Sequence, residues 1–112
     1  MKIDLELIPE GKGTIAIIRS ENLDAGNVKE FKEQIGSALS EHPTVLIDMT
    51  ALGFVDSSGL GALLSCLRTM NNKNGQLRLF GMAKPVQALF ELVRMHRIFS
   101  IYNTREEAQA SL

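Results

Sequence analysis

The chain has 112 residues, of which 45% are hydrophobic and 22% are charged, a composition typical of a globular domain and not of a disordered or fibrous chain. Its 12 Lys and Arg residues nearly balance its 13 Asp and Glu residues. The net charge of −1 therefore provides no basic excess for nucleic-acid phosphates. We expect a single domain over residues 1–112 and no nucleic-acid partner.

The sequence also predicts a cytoplasmic protein with no membrane partner. Its longest apolar run, residues 15–18, is far shorter than the roughly 20 residues that cross a bilayer. Neither end carries an apolar leader or a lipidation motif. The single cysteine, Cys66, has no second thiol for a disulfide or a zinc site, which suits a reducing compartment. We expect it to be a small core residue.

The first part of the chain predicts a β-hairpin followed by a helix. Residues 3–7 alternate between apolar and charged, residues 14–19 are largely β-branched, and the turn residues of 9–13 separate them. After Asp24, apolar residues recur at helical spacing and stop before Pro43. These patterns predict two antiparallel strands and one amphipathic helix.

The rest of the chain alternates between strands and helices. The apolar run 45–47 predicts a central strand that is covered on both faces. Next come a helix from about Ser57, a strand over 76–80, a helix with Pro85 in its first turn, a short strand over 99–102 and a terminal helix after Thr104. This order predicts an α/β domain, with a mixed sheet of four to five strands packed with about four helices.

The start of the second helix is the most informative segment. Either Asp56 or Ser57 can cap this helix. Gly59 and Gly61 lie in its first turn, where each costs about 0.5–1 kcal/mol relative to Ala. We expect the two glycines to leave the backbone uncovered around Ser57 and Ser58, so that a protein or a phosphate can approach the helix amides. A serine there is suited to phosphorylation, because the helix dipole stabilises the added charge.

Asp24 precedes the first helix at a distance that suits an N-cap. That helix start and the Ser57 segment both follow strands at the carboxyl end of the predicted sheet. Asp24 is therefore either a purely structural cap or a further part of the same partner surface.

The segment Phe54–Gly61, preceded by 45–49 and followed by 62–64, resembles the signature of the STAS domain. More narrowly, it is similar to bacterial anti-sigma factor antagonists, and the resemblance extends over nearly the whole chain. In that family the serine directly after the motif aspartate is phosphorylated, and Ser57 is the matching residue. The resemblance implies a STAS fold, with Ser57 as the phosphorylation site.

The resemblance also implies a partner switch. The unmodified protein would bind a serine kinase that is also an anti-sigma factor, phosphorylation would weaken that complex, and a metal-dependent serine phosphatase would reset it. ATP and magnesium would belong to the kinase, so we expect no cofactor and no catalysis in this chain. We expect the partner-binding surface to contain Asp24, Asp56, Ser57, Ser58, Gly59 and Gly61.

Two alternatives remain at this point. A STAS subunit of another signalling or transport assembly would use the same surface without phosphorylation. A serine hydrolase would use Ser57 or Ser58 with His42 or His96, but the segment lacks the G-x-S-x-G elbow of that class.

Overall fold

A computed structural model describes all 112 residues of the chain. The strands are β1 (Ile3–Ile8), β2 (Gly13–Ile18), β3 (Asn22–Leu23), β4 (Thr44–Asp48), β5 (Phe54–Val55), β6 (Gln76–Phe80) and β7 (Ser100–Tyr102). The α-helices are α1 (Val28–Glu41), α2 (Ser57–Asn72), α3 (Lys84–Leu92) and α4 (Arg105–Ala110), and short 3-10 helices lie at Pro9–Gly11 and Met95–Arg97.

Five of the strands form one mixed sheet in the order β1-β2-β4-β6-β7. Strand β1 pairs with β2 in the antiparallel direction, and every other neighbouring pair in this sheet is parallel. Strand β4 lies in the middle, with Ile47 between Ala16 of β2 and Leu79 of β6. The predicted class is confirmed: the chain is an α/β domain with a five-stranded mixed sheet and four α-helices.

Both faces of the sheet are covered, which explains the unbroken apolar run in β4. Val45 and Ile47 belong to the larger core cluster, together with apolar residues of α1, α2 and α3. Leu46 belongs to a smaller cluster on the other face, where α4 contributes Ala108. Alternate residues of β4 therefore face different helices.

Cys66 is a core residue of α2, as expected. Its side chain is buried, and desolvation raises the pKa of its thiol to about 12. A thiol in this environment stays protonated at neutral pH and is a poor nucleophile.

None of the helices combines the length and the hydropathy that a bilayer-spanning segment requires.

The predicted N-cap role of Asp24 is wrong. Helix α1 begins at Val28, and Asn27 occupies the N-cap position. The Asp24 side chain lies one turn earlier, where its Oδ1 accepts a hydrogen bond from the Gly26 amide at 2.9 Å. The chain makes a turn before the helix, because the Asp24 carbonyl accepts from the amides of Asn27 and Val28. Asp24 therefore shapes the loop before α1 and does not cap the helix.

The terminal helix α4 begins as the sequence predicts, with Thr104 at the N-cap. Its Oγ1 accepts a hydrogen bond from the Glu107 amide at 3.1 Å. We expect Thr104→Ala to lower the free energy of unfolding by about 1 kcal/mol, because a first-turn amide loses its acceptor. Thr69→Ala on the exposed face of α2 is the matched control, since the Thr69 hydroxyl only donates to the Ser65 carbonyl within the helix. Urea unfolding measures the free energy of unfolding of both variants, and equal stability of the two would contradict the capping role.

Candidate functional site

A two-residue strand pair at the carboxyl edge of the main sheet joins the loops before α1 and α2. Strand β3 pairs with β5 in parallel, with Asn22 opposite Phe54 and Leu23 opposite Val55. The Glu21 carbonyl extends this pairing by accepting hydrogen bonds from the amides of Gly53 and Phe54. The sequence did not predict this pair, because two residues are too short to show a period. Its consequence is that two loops distant in the sequence form one surface.

Of the two candidate caps of α2, the structure selects Asp56. Its backbone is extended, with φ −100° and ψ −172°, and its Oδ1 accepts a hydrogen bond from the Gly59 amide at 2.9 Å. Its Oδ2 accepts a second hydrogen bond from the Ala25 amide at 3.1 Å. One carboxylate thus holds the start of α2 and the loop before α1 together.

These contacts also determine the charge of Asp56. The hydrogen bond from the Gly59 amide, supported by that from the Ala25 amide, lowers the pKa of the Asp56 carboxyl, although partial desolvation opposes the shift. Amide donors favour the ionised form of a carboxyl group. The surface therefore carries a fixed negative charge at neutral pH directly beside Ser57.

Ser57 is the first residue of α2, and it is exposed, while Ser58 is half-buried. The first amides of a helix have no acceptor within it, and they form the positive end of the helix dipole. Because Asp56 makes the capping hydrogen bond, the Ser57 hydroxyl is not needed to begin the helix. This serine combines accessibility with a favourable position for a negative group.

The two glycines of the first turn have different roles. Gly59 is buried, and a Cβ atom there would lie 2.3 Å from the Leu23 carbonyl oxygen and 2.9 Å from Val55 Cγ1. Gly61 is exposed, and a Cβ atom there would meet nothing within 4 Å. The expectation that both glycines uncover the backbone is therefore wrong for Gly59, which is needed for the close packing of α2 against β3.

The Asp24 side chain belongs to the same edge of the sheet. Its Oδ2 accepts a hydrogen bond from Asn22 Nδ2 at 2.8 Å, and the next residue, Ala25, donates its amide to Asp56. The structure therefore brings the Asp24 loop and the start of α2 together, as the sequence led us to expect. The loop is positioned by backbone contacts and not by a helix cap.

The two histidines belong to other parts of the fold than Ser57. His42 lies two residues before β4, where the parallel strands begin, and His96 lies in the 3-10 helix before β7, where it lines a cleft with Met82 and Asn103. Ser57 follows the carboxyl end of β4, at the opposite edge. No hydrogen bond joins Ser57 to either histidine side chain, so the structure shows no Ser-His pair of the kind that a hydrolase uses.

Sequence reasoning missed Phe54 as a surface residue. Its side chain is 57% exposed and lines a shallow groove of about 200 Å³ between β5 and α3. The groove is also lined by Gly53, Val55, Pro85, Val86 and Leu89. A two-residue strand has too little alternation to show which of its side chains faces the core. Only the structure therefore shows that Phe54 is exposed.

Both the sequence and the fold of this chain are similar to those of known proteins. The family model of the STAS domain matches residues 7–108. The anti-sigma-B factor antagonist of Listeria monocytogenes is 28% identical over 108 residues, which cover 96% of this chain and 95% of that protein.

Two solved structures share the fold. An anti-sigma-factor antagonist (STAS) domain protein from Planctomyces limnophilus gives a TM-score of 0.87 at 18% identity, with 97% of this chain and 96% of that chain covered. The phosphorylated form of the Bacillus cell fate determinant SpoIIAA gives a TM-score of 0.71 at 21% identity, with 98% of each chain covered.

The different surroundings of the two glycines predict opposite effects on stability. Gly59→Ala is expected to lower the free energy of unfolding by about 1–3 kcal/mol, because the new methyl group overlaps the Leu23 carbonyl. Gly61→Ala is expected to raise it by up to about 1 kcal/mol, because alanine is the better helix former and meets no obstacle. Chemical denaturation of the two variants checks this. A loss of stability in Gly61→Ala would show that its surroundings are not open.

The pKa shift of Asp56 predicts a pH-dependent effect of Asp56→Asn. In the folded protein the pKa of the Asp56 carboxyl lies below the ordinary value of 3.8. The ionised carboxylate therefore stabilises the fold at pH values above 3.8. This contribution is lost as the pH falls through the folded pKa. The variant should therefore melt below wild type at neutral pH and approach it well below pH 3.8. A midpoint difference that is the same at both pH values would contradict a charge effect.

Proposed function

This chain belongs to the STAS domain family, and we propose that it is an anti-sigma factor antagonist that phosphorylation of Ser57 inactivates. The proposed partner is a regulator that combines serine-kinase and anti-sigma activities. The likeness to the anti-sigma-B factor antagonist of Listeria monocytogenes supports the regulatory class, and the solved phosphorylated form of SpoIIAA supports the kind of modification. The observation that carries the proposal for this chain is the exposed Ser57 beside an independently capped helix start.

Phosphorylation at this position is compatible with the intact fold because capping and switching use different residues. Asp56, and not Ser57, accepts the two amide hydrogen bonds that hold the start of α2, so the proposed modification removes no acceptor from them. The phosphate adds a charge of about −1.5 to −2 next to the first amides of a 16-residue helix, which stabilise it locally. The modification thus changes the partner surface and leaves the core unchanged.

The proposed reaction is a phosphoryl transfer that the partner catalyses. The Ser57 Oγ forms a bond to the γ-phosphorus of ATP, the bond from that phosphorus to the bridging oxygen of ADP breaks, and the hydroxyl proton passes to a base on the kinase. ATP and magnesium remain with the kinase, so this chain acts as substrate and binding module. A serine phosphatase then hydrolyses the ester with water and restores the hydroxyl.

The electrostatics of the site explain why the phosphate would release the partner. The Asp56 carboxylate is already ionised, so phosphorylation places two negative groups side by side. Transferring both into an interface requires their desolvation, and any acidic group of the partner repels them. A thousandfold loss of affinity needs only about 4 kcal/mol, which one phosphate can supply.

The proposal places the protein in the cytoplasm, where the kinase and the sigma factor are located, and it requires neither nucleic acid nor a membrane. Co-purification of the wild-type chain from its own cells, followed by mass spectrometry, identifies the kinase. A STAS subunit of a signalling or transport assembly would co-purify with other proteins and would bind them equally well with and without phosphate on Ser57.

Variants of Ser57 test the switch directly. Ser57→Ala should bind the kinase as wild type does and resist phosphorylation, because it removes only the hydroxyl. Ser57→Asp should bind about 10- to 100-fold more weakly, and the phosphorylated protein about 1,000-fold more weakly, since the phosphate carries more charge than a carboxylate. Titration calorimetry measures all four forms, with Ser65→Ala as a control on the exposed face of α2.

Phosphopeptide mapping accompanies the titrations and should assign the phosphate to Ser57. Modification confined to Ser58 or Ser65 would contradict the assignment of the site. Equal affinity of the phosphorylated and unphosphorylated proteins would contradict the switch itself.

Gly61→Ala tests whether the open space beside Gly61 is used by the partner. The variant should remain folded and bind the kinase at least several-fold more weakly, because a methyl group enters a surface that the chain itself leaves uncovered. Gly36→Ala is the matched control, since Gly36 is an exposed helical glycine of α1 with nothing within 4 Å of its Cβ position. If both variants bind as wild type does, Gly61 makes no contact with the partner.

A further inference from the structure

Helix α3 carries three apolar residues that the chain leaves partly or fully uncovered: Pro85 and Leu92 are exposed, and Leu89 is half-buried against the core. Pro85, Leu89 and Leu92 follow one another at intervals of four and three residues, so they lie along one side of the helix. Leu92 is 80% exposed, although an isolated surface leucine would by itself need no explanation. Phe54, Pro85 and Leu89 line one groove, and we call these three residues together with Leu92 the α3 stripe.

The stripe begins beside the switch site. Phe54 and Leu89 line the groove between β5 and α3, and Phe54 is only three residues before Ser57. From Pro85 to Leu92 the helix rises by about 10 Å, so the stripe extends the surface around Ser57 by that length. Phe54 thus belongs both to the stripe and to the segment that leads into Ser57.

Three cations flank the α3 part of the stripe, whereas the ionised Asp56 lies two residues from Phe54. Lys84 directly precedes Pro85, the first residue of the stripe on α3. Arg94 and Arg97 follow Leu92, its last residue. All three are exposed, and none of them forms an ion pair within the chain, whose salt bridges involve other residues. Glu91 lines a different cleft on α3 with His96, and Glu21 is the exposed acidic residue at the Phe54 end.

We propose that the α3 stripe is the second half of the partner surface, and that it binds an apolar segment of the kinase flanked by carboxylates. This inference rests on the proposed function and adds a docking contact to it. The groove accepts one large apolar side chain of the kinase, while Lys84, Arg94 and Arg97 pair with its acidic groups.

Docking on the stripe also gives a physical reason for the direction of the switch. A kinase surface that is acidic enough to pair with these three cations is repelled by a phosphate on Ser57. The apolar contact supplies affinity that does not depend on the phosphate, and the charge at Ser57 opposes the whole complex.

The experiment measures the affinity of the purified kinase, identified by co-purification, for variants of this chain. Leu92→Ser and Phe54→Ser should each weaken binding at least tenfold. Leu7→Ser is the matched control, because Leu7 is 72% exposed and lies near the opposite edge of the sheet. Arg97→Glu should weaken binding, whereas Lys12→Glu, in the turn of the β1-β2 hairpin, should bind as wild type does. Unfolding midpoints should stay at the wild-type value in Leu92→Ser and Leu7→Ser.

The outcomes separate this proposal from the one on which it rests. Phosphate mapped to Ser57, together with equal affinity of Leu92→Ser and Leu7→Ser, would overturn the docking contact and leave the switch intact. A kinase that does not bind the wild-type chain would overturn both. A concentration-dependent dimer of this chain that Leu92→Ser abolishes, seen by sedimentation, would assign the stripe to a second copy and overturn the proposal. Co-sedimentation with phosphatidylglycerol vesicles that Leu92→Ser abolishes would assign it to a membrane and also overturn it.

Discussion

The Asp56 carboxylate joins the start of α2 to the Ala25 amide, which lies 31 residues earlier in the sequence, in the loop before α1. One oxygen accepts the Gly59 amide and the other accepts the Ala25 amide, so both oxygens are used inside the protein. These two hydrogen bonds determine where α2 begins and where the loop before α1 lies, and so they position Ser57. A shift of either element would leave a carboxylate without a donor at the edge of the sheet.

Because Asp56 caps α2, the neighbouring Ser57 is not needed as the cap. Asp56 supplies the side-chain acceptor at this helix start, so the phosphorylation proposed for Ser57 would not remove the cap. In an arrangement where the serine itself capped the helix, modification would change stability and binding together. The division of roles between adjacent residues therefore suits a reversible surface switch on a stable domain.

Packing against β3 explains why the helix start contains glycine at two positions with different consequences. At Gly59 the backbone of α2 approaches the Leu23 carbonyl so closely that no side chain fits. At Gly61 the space is open, and the fold would accept alanine. Gly59 thus belongs to the architecture of the site, whereas no contact within this chain requires a glycine at position 61, which is the reason why we propose Gly61 for the partner surface.

The sequence by itself determined the strands of the main sheet and the four α-helices, and it restricted the cap of α2 to Asp56 or Ser57. The apolar period of the helices, the unbroken run in β4 and the Asp56-Ser57 pair before a helix are local features, and local sequence was sufficient to predict them. Only the tertiary structure decided three others: the β3-β5 pair, the loop role of Asp24 and the exposure of Phe54. Each of these depends on which distant backbone lies alongside, and a two-residue strand or a four-residue turn carries no period from which that neighbour could be predicted.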